Sequence, residues 1–205
     1  MKGVLYFIGS VAVVIVAVLL FNLSSGSQTE AEEGPPSVKE NVTVEERAQT
    51  ILEALREEDF EQVAEYVHSE KGVTFSPYAY VESEHQMFDQ ENLKNWKNDQ
   101  SIYTWGTFDG SGYAIEVTPI EYYEQFIYDK DFASAEEVHQ DEAIQPRGNS
   151  LHNAKEFYPD ARFIEFHVPG SEEYGGMDWG SLIIAFEEMD GALYLIAIIH
   201  DQWTI

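Results

Sequence analysis

The sequence predicts an α+β protein, with helices packed on a curved antiparallel sheet and an N-terminal transmembrane helix ahead of them. Three observations carry this. Val4 to Phe21 is an apolar run of about 18 residues, close to the roughly 20 that cross a bilayer. Three later segments open with helix-capping residues and continue with apolar residues at helical spacing. The chain closes with two apolar runs around Asp190-Gly191, the dipeptide that best supplies the positive φ angles of a type I′ hairpin turn.

Residues 1–23 read as a membrane anchor or signal segment. Lys2 precedes the apolar run and Glu30, Glu32 and Glu33 follow it, which puts the N-terminus in the cytoplasm and the rest outside the cell membrane as a single-pass protein. No A-x-A site follows the run, so an uncleaved anchor is favoured; cleavage near Ser25-Gly26-Ser27 would instead secrete the domain. Residues 24–42, rich in Ser, Gly, Glu and Pro, form a disordered linker. Residues 43–205 form one extracytoplasmic domain.

In that domain Thr43-Val44-Glu45-Glu46 is a capping box, followed by Val44, Ala48, Ile51, Leu52 and Leu55 on one helical face. A second helix starts at Asp59 with the stripe Phe60, Val63, Ala64 and Val67. The chain then turns into an extended stretch ending at Pro77. A short helix is expected around Gln90 to Trp96, and Ser101 to Thr107 reads as a strand before the turn Asp109-Gly110-Ser111-Gly112. Thr118, Pro119 and Glu121 punctuate a third helix, whose buried face is expected at Ile120, Tyr123, Phe126 and Ile127. Asp129 to Pro159 is irregular apart from a helical turn near Ser134, and Ala161 to Val168 is a strand.

The closing hairpin is the centre of the sheet. A two-residue turn sets Phe186 opposite Leu195, Ile184 opposite Ala197, Leu182 opposite Ile199 and Ser181 opposite His200. One face then holds Leu182, Ile184, Phe186, Leu195, Ala197 and Ile199, and the other Ile183, Ala185, Tyr194, Ile196, Ile198 and His200. Both faces are apolar, so each needs cover, from the chain itself or from a homodimer through one sheet face.

Composition narrows the function. An apolar share of 44% suffices for one core. The absence of cysteine excludes disulfides, thiolate metal sites and a cysteine nucleophile. With 38 acidic against 11 basic residues the formal charge is −27, which repels nucleic acid and anionic lipid headgroups. The acidity suits a salty or alkaline exterior; its sharper reading is capture of cations or cationic ligands.

Nucleophile elbow, Walker loop, dinucleotide fingerprint and H-E-x-x-H are absent. Asp129-Lys130-Asp131 lacks the glycine and the acidic series of an EF-hand loop. The catalytic candidates are His68, Asp178 and His200; those for metal are Glu165 and His167, which share a strand face at i and i+2. The adjacent His200 and Asp201 point to opposite faces of a strand, so each needs its own partner. No cofactor is implied.

The order of two helices, a strand region, a third helix and long closing strands resembles the NTF2-like superfamily, with Ile51-Leu52-Glu53-Ala54-Leu55 to Asp59-Phe60 and the closing strands as its most recognisable parts. The chain is also similar to an uncharacterised bacterial extracytoplasmic group, through Lys71-Gly72-Val73-Thr74-Phe75-Ser76-Pro77-Tyr78, Tyr174-Gly175-Gly176-Met177-Asp178-Trp179 and Ile199-His200-Asp201-Gln202-Trp203-Thr204-Ile205. The resemblance implies a cone-shaped sheet wrapped around helices. Two functions fit: a membrane-tethered module that binds a small ligand or an envelope protein without catalysis, or a small-molecule isomerase, lyase or hydrolase with a pocket in the cone. The enzyme reading requires at least two of His68, Asp178 and His200 to converge in a closed cavity.

Overall fold

A computed structural model of the chain describes residues 42–148 and 150–204. The expected membrane segment and nearly all of the linker lie outside the described residues, among which no helix is long and apolar enough to cross a membrane.

The helices begin where their caps stand. Thr43 accepts the N–H of Glu46, and the Glu46 carboxylate accepts the Thr43 N–H at 2.9 Å, opening α1 (Val44–Arg56). Asp59 accepts the Gln62 N–H at 3.0 Å and opens α2 (Phe60–Glu65). Each such cap contributes about 1 kcal/mol by satisfying an end-of-helix donor. The expected stripes of both helices are buried.

Further along come β1 (Val73–Ser76), β2 (Met87–Phe88), α3 (Gln90–Lys94), β3 (Tyr103–Thr107), β4 (Ala114–Val117) and α4 (Pro119–Phe126). In α4 the fully buried ring is Tyr122 rather than the expected Ile120, which is only partly covered. The stretch read as irregular contributes a strand, β5 (Glu137–Gln140), and a one-turn helix, α5 (Ala154–Phe157). The chain closes with β6 (Arg162–Val168), β7 (Gly180–Met189) and β8 (Ala192–Gln202).

The main sheet is curved and has the order β2-β1-β8-β7-β6-β5, while β3 and β4 form a separate two-stranded ribbon. It is not purely antiparallel, because β1 runs parallel to β8, with Phe75 beside Ile198. The hairpin β7–β8 holds the centre as expected, and its turn residues Asp190 and Gly191 have φ of 54° and 78°.

The hairpin register holds from the turn to the pair Phe186 and Leu195, then shifts by one: Ala185 faces Ala197, Ile184 faces Ile198 and Leu182 faces His200. Ile196 is the extra residue of a β-bulge. The bulge lies beside Leu195, whose N–H donates to the Tyr66 carbonyl and whose carbonyl accepts the His68 N–H. Beyond it the expected faces exchange. Ile198 joins Leu182, Ile184 and Phe186 under the helices, whereas Ala197 and Ile199 join Ile183 and Ala185 on the opposite face. His200 therefore shares its side with Leu182, not with Ile196.

Both faces are covered within the chain. Helices and aromatic rings fill the inner side, where Trp105 stacks on Tyr122 at 3.9 Å and Phe75 packs on Trp96 at 4.5 Å. The outer side is overlaid by Ile144, Ala154, Tyr158 and Ala161 from a strap spanning residues 141–161. Burying a side chain of this size contributes about 2 kcal/mol.

Candidate functional site

An open cleft of about 590 Å³ lies at the end of the sheet where β1 and β8 finish, within the size range of small-molecule sites. Three loops build it. Pro77 ends β1, having no N–H for the ladder, and Ser76 Oγ donates to the Tyr78 carbonyl at 2.6 Å, turning the chain outward. The Asn153 side chain then brackets Val81, accepting its N–H at 2.7 Å and donating to its carbonyl at 2.8 Å. The turn between β3 and β4 forms the second wall; Gly110 and Gly112 there have φ of 73° and 68°, and the Asp109 N–H donates to the Tyr78 hydroxyl at 3.3 Å. The third wall is Ser150, Leu151 and Asp201.

Aromatic and apolar side chains line the mouth: Tyr80, Phe108 and Leu151 are 51%, 37% and 73% exposed. The ionisable lining residues are Glu82, Asp109, Asp201, His85, Tyr78 and Tyr80, and neither lysine nor arginine is among the lining residues. Burial pushes the Tyr78 phenol up, keeping it neutral. His85 is buried, and burial holds it below the ordinary histidine value although Glu82 pulls the other way. Its Nδ1 accepts the Glu82 N–H at 3.2 Å, which leaves the proton on Nε2. Glu82 Oε2 lies 3.6 Å from that nitrogen, beyond hydrogen-bond length.

Deeper in the cleft, Asp201 is 1% exposed and takes Ser150 Oγ on one oxygen and His152 Nε2 on the other, each at 2.9 Å. The residue types match a catalytic triad, but the connectivity does not. Serine is activated by a histidine nitrogen, and here both serine and histidine point at the carboxylate.

The candidates from the sequence do not meet. His68 is buried at the end of α2, where Nδ1 accepts the N–H groups of Glu70 and Lys71 at 3.2 Å; it shapes a turn. Lys71 pairs with Glu187. Asp178 sits in the loop before β7 and holds Ser171, accepting its N–H at 2.6 Å and its hydroxyl at 2.9 Å; the backbone bond leads in keeping this carboxyl below its ordinary range. His200 is fully buried, with Nε2 3.1 Å from Asp129 Oδ1 and Nδ1 3.3 Å from the Pro77 carbonyl. The rings of Phe126 and Phe132 flank it. Neither His200 nor Asp129 lines the cleft. The convergence that the enzyme reading required is not present.

Glu165 and His167 share the outer face of β6, as their spacing demands. Glu165 is fully buried and engages Arg147 through both oxygens at 3.3 and 3.2 Å, with His139 3.1 Å away. His167 Nδ1 lies 2.8 Å from the Ser181 hydroxyl. Among the described residues no group of three His, Asp or Glu side chains is placed to hold a metal ion.

Asp201, which strand alternation left in need of its own partner, finds Ser150 and His152 and is a buried anchor for the strap. Tyr80, Glu82, His85, Phe108 and Leu151 come from three separate loops and form no motif in the sequence. The one local signal was the turn chemistry of Pro77 and of Asp109 to Gly112. No protein-family model and no curated protein matches this chain.

Proposed function

We propose that this protein is a membrane-tethered extracytoplasmic module of NTF2-like architecture that binds a small ligand, without catalysis, in the open cleft between the Pro77 loop, the β3–β4 turn and the strap. The apolar run Val4 to Phe21 and the charges around it support the tether and its orientation. The helix-first element order and the curved sheet with its central closing hairpin support the architecture. The acidic composition argues against nucleic acid.

One observation carries the binding reading: exposed Tyr80, Phe108 and Leu151 surround the cleft, while the carboxylate at its floor is already engaged by Ser150 and His152. Apolar and aromatic surface gives a ligand area to bury, and the engaged groups leave no nucleophile paired with a base. The test is a thermal-shift screen of the full chain in detergent micelles against neutral, cationic and anionic solutes, repeated with Tyr80→Ala and Leu151→Asp. Solutes that stabilise the wild type and lose that effect in both variants support the reading. Stabilisation unaffected by either variant, or conversion of a bound solute into product, would contradict it.

A further inference from the structure

We propose that the cleft ligand is a small organic ammonium ion carrying an oxygen acceptor. This rests on the cleft being the binding site, and it follows from what the lining offers and what it lacks.

Glu82 and Asp109 place two carboxylates on the walls of the cleft, above the Asp201 carboxylate that Ser150 and His152 already engage, and no lysine or arginine is among the lining residues. A neighbouring histidine does not offset them at Glu82, because burial keeps His85 neutral at physiological pH. Carboxylates in a concave, partly desolvated site focus a negative potential that attracts cations and repels anions. Acidic side chains alone would attract any cation, including inorganic ones. Here they sit beside the exposed rings of Tyr80 and Phe108, whose faces attract an organic cation. An inorganic ion would forgo the apolar contact with Leu151.

His85 supplies the second, independent feature. It is 8% exposed and lines the cleft, and its one hydrogen bond among the described residues uses Nδ1 as acceptor. The Nε2–H is a donor without a partner at hydrogen-bond length. With Glu82 Oε2 3.6 Å away, a ligand hydroxyl or carbonyl oxygen entering the cleft would give this donor a hydrogen bond of normal length without bringing a negative charge among the carboxylates.

The test uses the full chain in uncharged detergent micelles at 0.15 M salt, where attraction to distant charges is screened beyond about 8 Å. Isothermal titration compares choline with its neutral isostere 3,3-dimethylbutan-1-ol. The expected result is choline binding at least tenfold tighter than the isostere. The double variant Glu82→Gln/Asp109→Asn weakens choline binding tenfold or more, while Glu57→Gln/Glu61→Gln, on the far α1–α2 corner, leaves it unchanged. Equal binding of the two probes overturns the inference, as does equal weakening by the distal variant. If the isostere binds and Tyr80→Ala abolishes it, the cleft stands as a site and the cationic ligand falls. If neither probe binds, the ammonium inference is overturned, and the cleft is then judged by solutes of other classes with Tyr80→Ala.

Discussion

His200 Nε2 lies 3.1 Å from the carboxylate of Asp129, a residue 71 positions earlier in the chain. The pair exists because the bulge at Ile196 turns His200 to the helix side of the sheet, where Phe126 and Phe132 enclose the ring. Enclosed there and absent from the cleft lining, it ties the α4 end to the last strand.

Removing Asp129 should therefore cost stability and leave ligand binding alone. Asp129→Ala strands a buried ring nitrogen, with an expected loss of about 1–3 kcal/mol. Urea denaturation followed by tryptophan fluorescence measures it, and His200→Phe combined with Asp129→Ala should recover part of the loss.

The bulge can be tested by two deletions that each remove one isoleucine from the same outer-face cluster. Deleting Ile196 removes the extra residue and leaves every other pair opposite its present partner, so the expected loss is the burial of one side chain, about 2–5 kcal/mol. Deleting Ile183 instead sends Leu182 and the residues before it to the wrong face, and that variant should fail to fold. Near-ultraviolet circular dichroism separates the outcomes.

The strap is pinned at Glu165. Arg147→Ala leaves this fully buried carboxylate with only His139 beside it, and loss of a partner from a buried pair costs about 3 kcal/mol. Thermal denaturation should show the drop, and adding Glu165→Gln should restore part of it by removing the stranded charge.

Acid should weaken the fold before its carboxylates titrate. Burial lowers both His85 and His167 from the ordinary 6.5, with Arg147 adding to the effect at His167. The unfolded chain then binds more protons than the folded one as pH falls below about 6.5, so stability declines towards the lower folded values and is fully present above 6.5. Unfolding free energies between pH 7.5 and 5.5 should fall with pH, and His85→Gln should flatten that slope. The lowered carboxylates, such as Asp99, held mainly by the Ser101 and Tyr103 bonds, lose their contribution only at more acid pH.

The parts of this fold legible in the sequence are those whose signals are local. Thr43-Glu46, Asp59 and Thr118-Pro119-Glu121 mark helix starts within four residues, and Asp190-Gly191 fixes a turn by its own backbone preference. The strand Ala114–Val117 is too short for alternation to register, and Glu137–Gln140 carries only one strongly apolar residue. The bulge follows from Leu195 pairing with Tyr66 and His68, and the parallel pairing of β1 with β8 joins residues more than a hundred positions apart. Neither leaves a local trace. The cleft was illegible for the same reason, since Tyr80, Phe108 and Leu151 are ordinary loop residues until the fold assembles them. Opposite orientations for His200 and Asp201 did follow from strand alternation alone.

The most direct test is to record backbone amide chemical shifts of the labelled full chain in micelles while choline is added. The account predicts saturable changes confined to Tyr80, His85, Phe108 to Gly112 and Leu151. Changes centred on the strap's far side or the α1–α2 corner, or no saturable change at any residue, would contradict it.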